Sequence, residues 1–145
     1  MPESKDILVG FDGRAGGVAA LTEAIKMART IGGRLVVVFA YEPPARAGGE
    51  LADLRETLRQ MGTKIETEAK ALLDSSGVDY ELVLADARPA PGLAQLAEAH
   101  DARMIVVGGA GEAPLTGALL GAVPHKLLQL TDRPVLVVRS VEDEE

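Results

Sequence analysis

The stretch whose reading decides the fold is GGAGEAPLTGALLGAVP, Gly108–Pro124. An apolar run, MIVV (104–107), leads into it, and a run with helical patterning, HKLLQL (125–130), leaves it. Glycines stand at positions 108, 109, 111, 117 and 121. Glycine loses more conformational freedom on folding than any other residue. Such a density directly after a buried strand marks backbone that must stay bare. Tight turns, a close-packed helix or a bound phosphate would each require it.

Working outward, the same strand–loop–helix rhythm fills the chain. Asp6–Phe11 (DILVGF) is a short apolar strand. The following segment carries Leu21, Ile25, Ala28 and Ile31 at helical spacing until Gly32 and Gly33 stop it. Arg34–Tyr41 (RLVVVFAY) is apolar without alternation, as a strand buried on both faces must be. Pro43 and Pro44 open a loop. From Glu50 to Ser76 the spacing predicts the longest helix, with Leu51, Leu54, Leu58, Met61, Ile65 and Leu72 on one stripe. Asp79–Ala85 reads as a strand, ADARPAPG (85–92) as a turn, and Leu93–His100 as a helix. Arg103–Gly108 is a further strand, His125–Thr131 a helix, and Arg133–Arg139, opened by Pro134, the last strand. Five strands joined by helices imply a parallel sheet covered on both faces, a doubly wound α/β fold. The expected organisation is a single domain over 1–145, ordered over about 5–139, with the acidic end VEDEE (141–145) a solvated tail.

Composition narrows the function classes. With 145 residues and 47% hydrophobic content the chain can bury a full core. It has no cysteine, which excludes disulfides and thiolate metal sites. A net charge of −7 argues against nonspecific nucleic-acid binding, which needs a basic patch. MPESKDILVG lacks the basic and apolar regions of a signal peptide, and no apolar stretch approaches the roughly 18 residues of a membrane span. The expectation is a cytoplasmic protein with no membrane partner.

In open α/β sheets ligands bind at the carboxyl ends of strands, where strand order reverses. Two glycine-rich segments follow strands here: GFDGRAGG (10–17) and the stretch from Gly108. They edge one crevice if the first and fourth strands are neighbours. Two common phosphate motifs, GxxxxGK[ST] and GxGxxG, are both absent. What occurs instead is Gly108-x-x-Gly111, nine residues, then Gly121.

That spacing resembles the nucleotide-binding signature of the universal stress protein family, G-x-x-G-x9-G-[ST]. ILVGFDG (7–13), ARMIVVGGAG (102–111) and LLGAVPHKLLQLTDRPVLVV (119–138) extend the resemblance over nearly the whole chain. The resemblance implies a Rossmann-like sheet of order 3-2-1-4-5. It also implies a homodimer paired through the last strand, Pro134–Val138, and an adenine nucleotide between the first and fourth strands. The nucleotide is expected to be ATP, with AMP and cyclic AMP as further candidates and Mg²⁺ arriving only with it. Carried onto this chain, the cofactor-binding residues are Phe11, Asp12, Gly13 and Arg14, then Ala40, then Gly108, Gly109 and Gly111, and finally Gly121, Ala122 and Val123. Bare glycine backbone lets amides reach phosphate oxygens, and a helix starting after Gly121 adds the positive end of its dipole.

The chain departs from the signature at Ala122, where the family carries a hydroxyl. No Lys or Arg lies between Gly108 and Pro124, and Glu112 adds a negative charge. Arg14 either supplies the missing cation or points to solvent. Asp12 either contacts the nucleoside or caps the helix that follows. Gly108, Gly111 and Gly121 serve either the phosphate or close helix packing; Gly117 reads as a packing residue and Thr116 as an exposed turn. His100 and His125, the two histidines, are not at metal-ligand spacing. No Ser/His/Asp or paired-carboxylate arrangement is present, so the expectation is a stress-response sensor or regulator with at most slow ATP hydrolysis. The alternative is a nucleotide-free dimeric interaction module of the same family. An adenylating enzyme is the weakest reading, since the chain has no room for a second substrate domain.

Overall fold

The computed structural model describes residues 4–12, 15–41, 49–109 and 122–140. Strands and helices alternate: β1 (Asp6–Gly10), α1 (Ala15–Ile31), β2 (Arg34–Tyr41), α2 (Gly49–Asp74), β3 (Tyr80–Asp86), α3 (Pro89–Ala99), β4 (Met104–Gly108), α4 (Ala122–Leu130) and β5 (Val135–Val138). The strands form one five-stranded sheet in the order β3-β2-β1-β4-β5. All four pairings are parallel.

Side-chain alternation along the strands divides the core in two. Ile7 and Val9 of β1, with Leu35 and Val37 of β2 and Val106 of β4, meet α1 and α2 through Leu21, Ala24, Ala28, Ala69 and Leu73. Leu8, Val36, Val38, Ile105 and Val107 point the other way, against Leu93 and Ala97 of α3 and Leu127 of α4. Both faces are thus covered, which is why these strands are continuously apolar.

Two helices begin earlier than the sequence reading places them. The helix expected from Leu93 starts at Pro89, inside the segment read as a turn. Proline suits a first helical turn because its fixed φ is already helical and its missing N–H would have no intrahelical acceptor there. Likewise α1 starts at Ala15 and takes in Gly16 and Gly17. Those glycines serve a close approach of helix to sheet rather than an open loop.

The charged contacts gather at the amino-terminal ends of the strands. Arg34 lies 3.2 Å from Asp6 and 3.3 Å from Glu81, linking three adjacent strands. Its hydrogen bond to Asp6 is the largest influence holding the guanidinium above its ordinary pKa. Arg133 donates from Nη1 to the Ala102 carbonyl at 2.7 Å and to the Asp101 carboxylate at 3.1 Å, pinning the entry of β5 to the end of α3. Asp101 itself holds the left-handed backbone, with φ 51°.

Gly62 sits inside α2, where a Cβ would lie 3.6 Å from Leu84 and Phe39, ordinary contact distance. Nothing in the packing demands glycine there, and a glycine in a helix interior costs about 0.5–1 kcal/mol relative to alanine. Gly62→Ala is therefore expected to raise stability by about 0.5–1 kcal/mol in urea unfolding. A loss of stability would show that α2 packs closer than described.

Candidate functional site

Strand order runs outward from β1 to β3 on one side and from β4 to β5 on the other, so the reversal falls between β1 and β4. These two are hydrogen-bonded neighbours, with Leu8 opposite Ile105 and Val9 opposite Val106. Beyond their carboxyl ends lies a cleft of about 300 Å³. Its floor comes from Gly10 at the end of β1 and Phe11 and Asp12 after it, Phe39 and Ala40 of β2, and Gly108 and Gly109 at the end of β4.

Three helices aim their amino-terminal turns into this cleft. Gly16 and Gly17 of α1, Pro89 of α3, and Ala122, Val123 and Pro124 of α4 all line it. None of the three first turns carries an acidic residue. The dipole ends of α3 and α4 are therefore not neutralised by their own first turns, whereas the Asp12 carboxylate stands over that of α1; an unneutralised end favours an anion by about 0.3–1 kcal/mol. First-turn amides have no acceptor within their own helix, although Pro89 and Pro91 of α3 and Pro124 of α4 contribute none. The remaining walls are apolar: Val38, Leu93 and Val107. Asp12 is the one ionisable side chain among the described residues of the lining. An anion here is attracted by backbone dipoles and not by a described cation.

Of the residues expected from the sequence, Phe11, Asp12, Ala40, Gly108, Gly109, Ala122 and Val123 all meet in this cleft. Gly13, Arg14, Gly111 and Gly121 lie outside the described residues, as do Glu112, Thr116, Gly117 and the acidic tail. The geometry refines the roles of three. The Gly109 N–H donates to the Val138 carbonyl at 2.9 Å, so its amide is engaged in the sheet. The Phe11 N–H donates to the Val38 carbonyl at 2.9 Å. Gly108 packs on α1: a Cβ there would stand 2.6 Å from the Gly16 carbonyl oxygen. Close helix packing, one of the two readings of that glycine, is thus a physical requirement.

Asp12 lies over the first turn of α1, where its carboxylate oxygen fills the place a Gly17 Cβ would take. From there the carboxylate borders both the helix start and the cleft, so neither a capping role nor a ligand contact is closed to it. Sequence reasoning missed Val38, Phe39, Pro89, Leu93 and Val107, and it held Gly10, Gly16, Gly17 and Pro124 only as parts of the two glycine-rich segments. The alternation that puts Val38 and Ala40 on the face of Val107 was available as a signal, but it needs the strand order to be used. Among the described residues no group of three His, Asp or Glu side chains is placed to hold a metal ion. No helix among them is long and apolar enough to cross a membrane.

A doubly wound parallel sheet with its cleft at the strand-order reversal defines the class of open α/β proteins whose ligand sites, where present, lie at that edge. Within that class, the profile of the Universal stress protein family matches residues 3–139, and the chain belongs to that family. A universal stress protein of Thermus aquaticus is 34% identical over 139 residues, covering 93% of this chain and 98% of its own. Among solved structures, the universal stress protein UspA of Lactobacillus plantarum superimposes with a TM-score of 0.80 at 20% identity, covering 96% of this chain and all (100%) of its own. A universal stress protein solved in complex with cAMP is 25% identical, with a TM-score of 0.69, covering 96% of this chain and 99% of its own.

Proposed function

We propose that this chain is a cytoplasmic stress-response protein that binds an adenine nucleotide in the cleft between β1 and β4 and acts as a sensor or regulator rather than as an enzyme. The observation that carries the reading is the convergence of three helix amino termini on an otherwise apolar cleft at the strand-order reversal. Dipoles without cations suit a phosphate, and apolar walls suit a flat purine. The relative solved with cAMP supports the adenine choice. ATP, AMP and cyclic AMP all present adenosine with at least one phosphate, and Mg²⁺ would enter only with the nucleotide. The described lining offers one carboxylate and no base paired with a nucleophile, which suits binding better than turnover.

Calorimetric titration of protein freed of nucleotide tests this. Saturable heat at one site per chain with cAMP, AMP or ATP, and much weaker heat with the guanine counterparts, is the expected result. No heat with any of them, and no adenine carried through purification, would favour the second reading: a nucleotide-free interaction module. The lost hydroxyl at Ala122 is the observation on that side.

A homodimer through β5 belongs to the same proposal. This strand is at the sheet edge, and all four of its residues are only half-buried. Beside it, α4 exposes Leu128 at 53% and Leu130 at 49%. An unpaired edge with adjacent apolar side chains is a liability unless covered. Antiparallel pairing with a second copy would close both edges by two-fold symmetry. A monomer mass in light scattering at micromolar concentration would remove this part of the proposal.

A further inference from the structure

A second cavity, of about 250 Å³, lies on the other face of the sheet, between α2 and the β2–β3 pair. Its floor is two successive same-face rungs: Val37 opposite Leu82 and Phe39 opposite Leu84. Phe11 borders one side, and Ile65, Glu66 and Ala69 of α2 form the roof. The small side chain of Ala69, almost fully buried, leaves the space open beneath the helix. Leu84 remains 48% exposed at its edge. Among the described residues of the lining, the Glu66 carboxylate is the one polar side chain. Its described partner is Lys70, one helical turn on, with Nζ 3.7 Å away. Both are substantially exposed, so that pair holds the carboxylate weakly and a competing cation displaces it at little cost.

We infer that this cavity is a second small-molecule site, for an apolar compound carrying a single amine. The apolar floor takes the hydrocarbon or aromatic body, since burying it removes both surfaces from water. The carboxylate takes the ammonium through a charge-assisted hydrogen bond. An apolar anion is disfavoured twice, by Glu66 and by the chain's charge of −7. The site is distinct from the switch-point cleft, yet the chain's 2 phenylalanines, Phe11 and Phe39, line both cavities. The inference does not depend on nucleotide binding.

The test uses 2-phenylethylamine as probe, 2-phenylethanol as its neutral counterpart, and amide chemical shifts of the full-length chain. Saturable shifts at Val37, Phe39, Ile65, Ala69 and Leu82 with the amine are expected. Glu66→Gln, which keeps the shape and removes the charge, should weaken the amine about tenfold and leave the alcohol unchanged. Absence of saturable shifts at these residues with either probe would overturn the inference. So would shifts confined to Leu93, Gly108 and Val123 of the other cleft, or a Glu66→Gln effect that is nil or equal for the two probes.

Discussion

Replacing Gly108 with alanine lowers the midpoint of thermal unfolding by about 5–10 °C, as scanning calorimetry or circular dichroism would record. The added Cβ would stand 2.6 Å from the carbonyl oxygen, 2.7 Å from the carbonyl carbon and 3.0 Å from the Cα of Gly16. Those atoms are backbone, so no rotamer change relieves the contact. The first turn of α1 must slide off the end of β4, disturbing its contacts with Ile7, Val9 and Val106. Overpacking of this kind costs about 1–3 kcal/mol, and at this chain length each kcal/mol moves the midpoint by roughly 3–4 °C. The neighbouring Gly109 is an internal control. A Cβ there meets Val137 Cγ1 at 3.3 Å and otherwise lies at ordinary contact distance. Neither glycine has positive φ, so neither substitution is strained by the backbone itself. Gly109→Ala should therefore cost well under half as much. Equal losses at the two positions would mean that α1 does not approach β4 as closely as described.

That pair of glycines shows what the sequence could and could not disclose. The strands were legible because runs such as ILV (7–9) and LVVV (35–38) have no other stable place than between two helical layers. The sheet order was not legible from periodicity. It entered through the resemblance carried by Gly108-x-x-Gly111 and the closing segment, and the structure bears it out. Helix starts were missed at Ala15 and Pro89, where glycine and proline mask a first turn by resembling a loop. The cleft was located by its glycines, but their division of labour was hidden. Gly108 answers to Gly16 and Gly109 to Val138 across the sheet, and such partners lie far away along the chain. The same distance hid Phe39 and Leu93, whose place in the wall follows only once β1, β2 and α3 are assembled.

Ala122→Asp should weaken a phosphate-bearing nucleotide by about ten- to a hundredfold in calorimetric titration, while the protein stays as stable as before or gains slightly. Ala122 is exposed, opens α4 and borders the cleft. An acidic residue in a first turn favours the helix by about 0.3–1 kcal/mol, so folding does not suffer. The same carboxylate stands where the phosphate is expected. Two like charges about 4–6 Å apart at a protein surface repel by roughly 3–4 kcal/mol before salt screening, and each 1.4 kcal/mol is about tenfold in affinity. Ala122→Ser moves the other way, since a hydroxyl donating to the phosphate contributes on the order of 1 kcal/mol, roughly fivefold. Adenosine, lacking the phosphate, should bind all three proteins alike. Opposite shifts for nucleotide with a constant response to adenosine locate the phosphate at the start of α4, because no effect on folding or on the purine pocket yields that combination. If the unaltered chain binds nucleotide and neither substitution changes its affinity, the phosphate lies elsewhere and the helix-terminus argument fails at its central step.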